Sequence, residues 1–227
     1  MVIQAALLDM DGILVDSEPV HCKAWSEVAH ALGASFPPEF FHKYVGVGNT
    51  KVAEELISMT KSTFSKEEIV EQKTNVYLGL IRNIKPMEGI IEFLTKLKKN
   101  HLAIGVVSSS PRTEVVSTLQ YAGIFSFFET VTAKEDARET KPAPDLYKAA
   151  LKKLNLQSTE CIAVEDSQTG VAAAKSAGIY CIAIPHKLSA NQNFKKADLV
   201  IESVTVLLGH NYDKMKTKNP LIGKLLG

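Results

Sequence analysis

The sequence predicts an α/β protein built on a doubly wound, mostly parallel sheet, with an all-helical segment inserted after the first strand. Three observations carry this. Short apolar runs rich in Val, Ile and Ala alternate with helical patterns from Pro86 onward. One earlier apolar run, Ala5-Ala6-Leu7-Leu8, is separated from the rest by a stretch with helical periodicity alone. The 227 residues suffice for a buried α/β core with an insertion. The core is therefore expected over 1–16 and 86–227, and the insertion over 17–85.

Ala5 to Leu8 reads as a buried strand, because a short run of small and branched apolar residues without alternation suits a strand covered on both faces. Glu18 to Leu32 repeats apolar residues at Val20, Ala24, Val28, Ala31 and Leu32 and stops at Gly33, as helices do. Helical stretches are expected at Pro38 to Tyr44, Thr50 to Met59 and Lys66 to Ile81. A helix at Glu88 to Lys99, a strand at Ala103 to Val107 and a helix at Pro111 to Ala122 follow. Then come a short strand at Thr130 to Ala133, a helix at Ala143 to Leu154, a strand at Cys161 to Val164 and a helix at Thr169 to Ala177. Strands at Ile179 to Ile184 and Leu199 to Ile201 complete the sheet. The lysine-rich tail from Tyr212 reads as a frayed or loosely docked terminus.

The 26 basic and 25 acidic residues leave a net charge of +1, which gives no reason to expect nucleic acid or an anionic membrane as partner. Cys22, Cys161 and Cys181 are far apart and odd in number, and two of them sit in apolar runs. Buried thiols in a cytoplasmic monomer are expected rather than disulfides or zinc ligands. No apolar run approaches the length of a membrane span, and no signal peptide is evident.

Chemistry-bearing residues follow the predicted strands, and parallel strands place all their carboxyl ends at one edge. The first strand delivers Asp9 and Asp11, the second Ser108, Ser109 and Ser110. Lys141 comes before Pro142, and the strand ending at Val164 delivers Glu165 and Asp166. An Asp-x-Asp-Gly string can also open a calcium loop. Here the fifth, sixth and twelfth positions are Ile13, Leu14 and Val20, where an EF-hand needs an oxygen ligand, Gly and an acid. Four carboxylates in one crevice repel strongly: two charges ~4 Å apart cost on the order of 4 kcal/mol at an effective dielectric near 20. Lys141 alone cannot offset that, so Mg2+, with its preference for carboxylates, waters and phosphate, is expected. Ser108 and Lys141 would then donate toward a phosphoryl group.

The stretches LDMDGILVDS, VVSSS, KPAPD and VEDSQTGVAAAKSAG resemble, in order and context, the four motifs of the haloacid dehalogenase-like hydrolases, over about Val2 to Asp198. The insertion looks like the helical cap of the β-phosphoglucomutase-like subgroup, on a Rossmann-like core. The resemblance implies that Asp9 is the nucleophile, forming an aspartyl-phosphate, and that Asp11 is the acid and base. It assigns Ser108, Ser109 and Lys141 to the phosphoryl group. Asp9, Asp166 and the backbone carbonyl of Asp11 would hold Mg2+, supported by Glu165. His21, Trp25, Gly46 and Val47 match mutase positions, with His21 reaching toward the reacting centre.

Mutases of the subgroup also carry two cap cations for a second phosphate. The matching places here hold Asn49 and Gly79, with Lys51 or Arg82 as substitutes. Hydrolysis of a small phosphomonoester, such as a sugar phosphate, is therefore the preferred expectation. A β-phosphoglucomutase-type mutase and a catalytically silent binding protein remain as alternatives. Val15 to Glu18 and Lys85 to Glu88 are expected to act as hinges.

Overall fold

The computed structural model describes residues 2–37, 41–208 and 223. Six parallel strands form one sheet in the order β3-β2-β1-β4-β5-β6: β1 Ala5–Leu8, β2 Ala103–Val107, β3 Thr130–Thr132, β4 Cys161–Glu165, β5 Tyr180–Ala183 and β6 Leu199–Val200. The chain starts in the middle of the sheet, and every residue of β1 is buried. Successive side chains point to opposite faces. Ala6 and Leu8 enter one apolar layer with the helices α4 (Ile90–Lys99) and α5 (Arg112–Tyr121), while Ala5 and Leu7 enter another with α6 (Asp145–Leu154) and α7 (Gln168–Ser176). This alternation continues past the strand end. It sends Asp9 and Glu165 to the α6 and α7 side and Met10 to the other.

Between β1 and α4 the chain forms a helical layer of α1 (Glu18–Ala31), α2 (Asn49–Thr60) and α3 (Lys66–Leu80). Among the described residues it contains no strand. Local signals explain its edges. Gly33 continues past α1 at φ +77°, in the left-handed region that glycine tolerates. Ser65 opens α3 with a capping box, its hydroxyl accepting from the Glu68 amide while the Glu68 carboxylate accepts from the Ser65 amide. The helix expected over Pro38 to Tyr44 falls partly outside the described residues; what is described there is a short 3-10 turn, His42–Tyr44. The tail expectation also lies outside them.

The helical layer has its own apolar cluster, in which Trp25, Val28, Val52, Leu56 and Ile69 pack together. Its two connections to the sheet run side by side. Val15 bridges Pro86, and the Met87 amide donates to the Leu14 carbonyl at 2.9 Å. The layer also rests on the core through polar contacts. Thr169 donates to the Gly46 carbonyl, Gln192 Nε2 donates to the Val45 carbonyl at 3.2 Å, and the Tyr77 hydroxyl meets Thr118 Oγ1 at 2.9 Å.

One ion pair joins the two parts out of reach of water. Lys73 of α3 donates to Glu114 Oε2 of α5 at 2.8 Å, and both side chains are fully buried. Thr74 Oγ1 donates to the other carboxylate oxygen at 2.5 Å. Removing one partner of such a pair leaves a buried charge alone, at a penalty of about 3–5 kcal/mol. Lys73→Ala should lower unfolding stability in urea by about that amount. The double replacement Lys73→Met with Glu114→Leu should recover most of the loss; equal losses would show that the buried pair is not what the single variant disrupts.

Candidate active site

The carboxyl ends of β1, β2 and β4 converge on one cleft, roofed by α1, α2 and the loop between them. Asp9 continues β1, its amide donating to the Val164 carbonyl of β4 at 3.0 Å. Lys141 reaches in from the segment before α6 and is nearly covered. Its ammonium lies 2.7 Å from Asp9 Oδ1, 2.7 Å from Glu165 Oε1 and 2.9 Å from the Val107 carbonyl. An ammonium has three protons, and three acceptors surround this one. The Tyr147 hydroxyl adds a 2.6 Å hydrogen bond to Glu165 Oε1.

Electrostatics then reveal what the cluster lacks. Asp9, Glu165 and Asp166 each bring a carboxylate oxygen within 4.8 Å of the others, and all three are buried. Glu165 Oε2 and Asp166 Oδ2 have no hydrogen-bond partner. Burial, reinforced by Glu165 and Asp11 and opposed by Lys141, pushes Asp9 up to about 8. Burial, with Asp9 and Glu165 close by, raises Asp166 as well. For Lys141, burial is outweighed by Asp9 and Glu165, so it stays firmly protonated. Three carboxylates against one ammonium leave a buried excess of negative charge. A small divalent cation that prefers oxygen ligands fits this donor set and would occupy the two orphaned oxygens.

Asp11 is held apart from that cluster. Its Oδ1 accepts from the Ser17 hydroxyl and lies 3.0 Å from His21 Nε2, and its Oδ2 lies 3.5 Å from the Ser110 hydroxyl. Ser17 precedes α1 yet makes no side-chain cap, because its backbone is already helical (φ −91°, ψ −14°) where a cap residue is extended, and its hydroxyl donates to Asp11. On the far side of the imidazole, Lys73 approaches His21 Nδ1 at 2.8 Å, and Tyr77 stacks on the ring at 4.3 Å. A lysine ammonium only donates, so Nδ1 accepts and the proton sits on Nε2, pointing at Asp11. Burial works against ionisation of Asp11, but His21 and Ser17, with Lys73 behind them, outweigh it and hold the carboxyl below the ordinary range.

The structure brings Asp9, Asp11, Ser109, Lys141, Asp166, His21 and Asn49 to this cleft. Ser108 lies behind it, its hydroxyl accepting from the Ser110 amide at 3.1 Å, whereas the buried Ser109 hydroxyl has no partner. Glu165 is the last residue of β4 rather than the first beyond it, which locks it under Tyr147.

Lys51 is a correction. It is exposed and does not line the cleft, because two residues along a helix turn the side chain to nearly the opposite face from Asn49. Arg82 is exposed too, and nothing lies within 4 Å of where a Gly79 side chain would begin.

Sequence reasoning missed Lys73, Glu114, Ser17 and Glu18. A signal for Lys73 was present: it shares the helical stripe of Ile69, Val70 and Tyr77, all buried.

A family model described as haloacid dehalogenase-like hydrolase matches residues 6–184. A phosphorylated carbohydrates phosphatase of Thermotoga maritima is 28% identical, over 87% of this chain and 93% of its own length. A β-phosphoglucomutase of Bacillus subtilis is 27% identical, over 90% of this chain and 92% of its own. Among solved structures, CbbY from Rhodobacter sphaeroides in complex with phosphate superposes with a TM-score of 0.85 at 26% identity, covering 93% of this chain and 98% of that one.

Gly12 supplies a test of the carboxylate cluster. It sits at φ +76°, and a Cβ there would lie 2.4 Å from Asp166 Oδ2. Gly12→Ala should push the Asp166 carboxylate aside and weaken binding of a divalent cation at least tenfold, measured by calorimetry with Mg2+ and Mn2+. Unchanged affinity would remove Asp166 from the ligand set.

Proposed function

The chain belongs to the haloacid dehalogenase-like hydrolases, and on that premise we propose that it hydrolyses a small phosphomonoester, a sugar phosphate in class, through an aspartyl-phosphate on Asp9. The observation that carries this is the division of labour between two neighbouring aspartates. Asp9 is clamped by Lys141 in the cation-ready cluster, while Asp11 is held by His21 and Ser17 under the helical layer. Asp9, Asp166 and the backbone carbonyl of Asp11 are the proposed Mg2+ ligands, with Glu165 in support. Magnesium bound there would offset the carboxylates and draw electron density from a phosphoryl oxygen.

In the first step an Asp9 oxygen attacks phosphorus, the bond from phosphorus to the ester oxygen breaks, and Asp11 gives that oxygen a proton. The arriving ester monoanion raises the proton affinity of Asp11 and passes its own phosphoryl proton to it, which supplies the acid form. In the second step Asp11 takes the proton back from a water that attacks phosphorus. The bond to Asp9 breaks and inorganic phosphate leaves. Lys141 faces the charge on the phosphoryl oxygens throughout, with the Ser109 hydroxyl, and Ser108 fixes the loop that presents them.

Residues 17–85 act in this reading as a cap on a core of 1–16 and 86–227, swinging on the paired linkers and excluding bulk water when closed. We take the enzyme to work as a cytoplasmic monomer. The cleft draws every group named here from one chain, and no helix among the described residues is long and apolar enough to cross a membrane. No disulfide is present among them. The near-zero net charge supports a small metabolite rather than nucleic acid as partner.

Similarity to the Bacillus subtilis β-phosphoglucomutase favours a second reading, a phosphosugar mutase. A mutase must retain a bisphosphate intermediate, and the cleft offers no lysine or arginine apart from Lys141 among its described residues. Interconversion of β-glucose 1-phosphate and glucose 6-phosphate should therefore be slower than phosphate release from either; the reverse order would make the mutase reading the better one. Asp9→Asn should cut Mg2+-dependent phosphate release by at least a thousandfold with the thermal unfolding transition preserved, and chelation should silence the wild type. Persistence of turnover in that variant would falsify the nucleophile assignment.

A further inference from the structure

We propose that Glu18, together with Asn49, forms the subsite that selects an uncharged, polyhydroxylated leaving group and excludes one that carries a second anion. This deepens the phosphatase reading above and rests on it. Glu18 opens α1, lines the same cleft as Asp9 and Asp11, and is only 4% exposed. No hydrogen bond or ion pair among the described residues holds its carboxyl, and burial, with Asp11, Asp9 and Asp16 close by, pushes it up to about 8, so that it is a neutral acid at neutral pH. A largely buried carboxyl group without a partner is costly and normally finds one. Asn49 opens α2, lines the cleft and is 8% exposed, and its Nδ2 is buried with no hydrogen-bond partner.

Beyond the catalytic carboxylates and Ser109, the cleft thus presents an unengaged carboxyl group and an orphaned amide donor, on two different helices. A hydroxyl group donates and accepts at once, so neighbouring hydroxyls of a polyol satisfy both residues together. Trp25 and Phe41 line the same cleft and offer apolar surface to the carbon skeleton.

Charge narrows the choice. A second phosphate or a carboxylate on the leaving group would lie near the ionised Asp11 with no lysine or arginine of its own to receive it. Lys141 is committed to Asp9, Glu165 and the transferring phosphoryl group, and Lys73 is paired with Glu114 outside the cleft. A leaving group bearing an ammonium would satisfy Glu18 but leave the Asn49 amide without an acceptor.

The experiment compares kcat/KM with saturating Mg2+ for hexose monophosphates and glycerol phosphate, fructose 1,6-bisphosphate, phosphoethanolamine and p-nitrophenyl phosphate. The wild type should favour a hydroxylated monophosphate at least tenfold over the other three. Glu18→Met and Asn49→Leu should each lower the ratio of hydroxylated ester to aryl ester at least tenfold, mainly through KM. Glu18→Gln keeps the volume and both hydrogen-bonding roles of the neutral acid, and at neutral pH should hold the ratio of hydroxylated to aryl ester within about threefold of the wild type. An unchanged ratio in the folded Glu18→Met and Asn49→Leu variants, or a wild-type preference for the bisphosphate or for phosphoethanolamine, overturns the subsite while leaving the phosphatase intact. No phosphate release from any ester, the aryl one included, overturns the phosphatase reading itself and this proposal with it.

Discussion

The Lys141 ammonium is the constraint around which the site is built. Its three protons bind two carboxylates and one strand carbonyl, so it fixes the ends of β1, β2 and β4 relative to one another. Without it, Asp9 and Glu165 would face each other as bare like charges under an apolar layer, a repulsion on the order of several kcal/mol at such distances. With it, the pair is held close but not neutralised. The excess of carboxylates over ammonium makes the cluster chemically suited to a divalent cation. Gly170 belongs to the same constraint: a side chain there would start 1.8 Å from Glu165 Oε2, so the glycine lets α7 approach the buried carboxylate.

A second polar chain runs from Asp11 through His21 and Lys73 to Glu114, crossing from the core into the helical layer and back. It links the position of Asp11 in the core to the seating of α3 on α5. His21 and Lys73 both belong to the helical layer, so their contact travels with it, whereas the contact between His21 and Asp11 crosses to the core and depends on how the layer is seated there. These contacts also engage Lys73, the one buried lysine or arginine among the described residues of the helical layer, away from the cleft.

Much of this was legible in the sequence, for physical reasons. Strands such as Ala5–Leu8 and Cys161–Glu165 lie buried between two layers of helices, so they read as unbroken apolar runs. Parallel strands share a carboxyl edge, and that rule alone brought Asp9, Lys141 and Asp166 together. The helical layer was harder to read. Lys73 and Glu114 are charged residues in fully buried places, 41 positions apart, and neither is interpretable until its partner is known. Lys51 was chosen because it is a cation near the expected place, but helical rotation, which spacing in the chain does not display, carried it to the outside. Ser17 has the look of a helix cap and is instead a ligand of Asp11, a tertiary contact that overrides the local habit of the residue.

The helical layer leaves the sheet after Val15 and re-enters at Pro86, and these two residues are bridged to one another. An inserted segment whose ends meet in this way can be lengthened, shortened or replaced without altering strand order or register, since the sheet closes behind it whatever it contains. Descent with modification then has two nearly independent units to work on. The conserved reaction can stay with the strands while the chemical taste of the enzyme drifts in the insert, and new substrates can be acquired without the fold having to be reinvented.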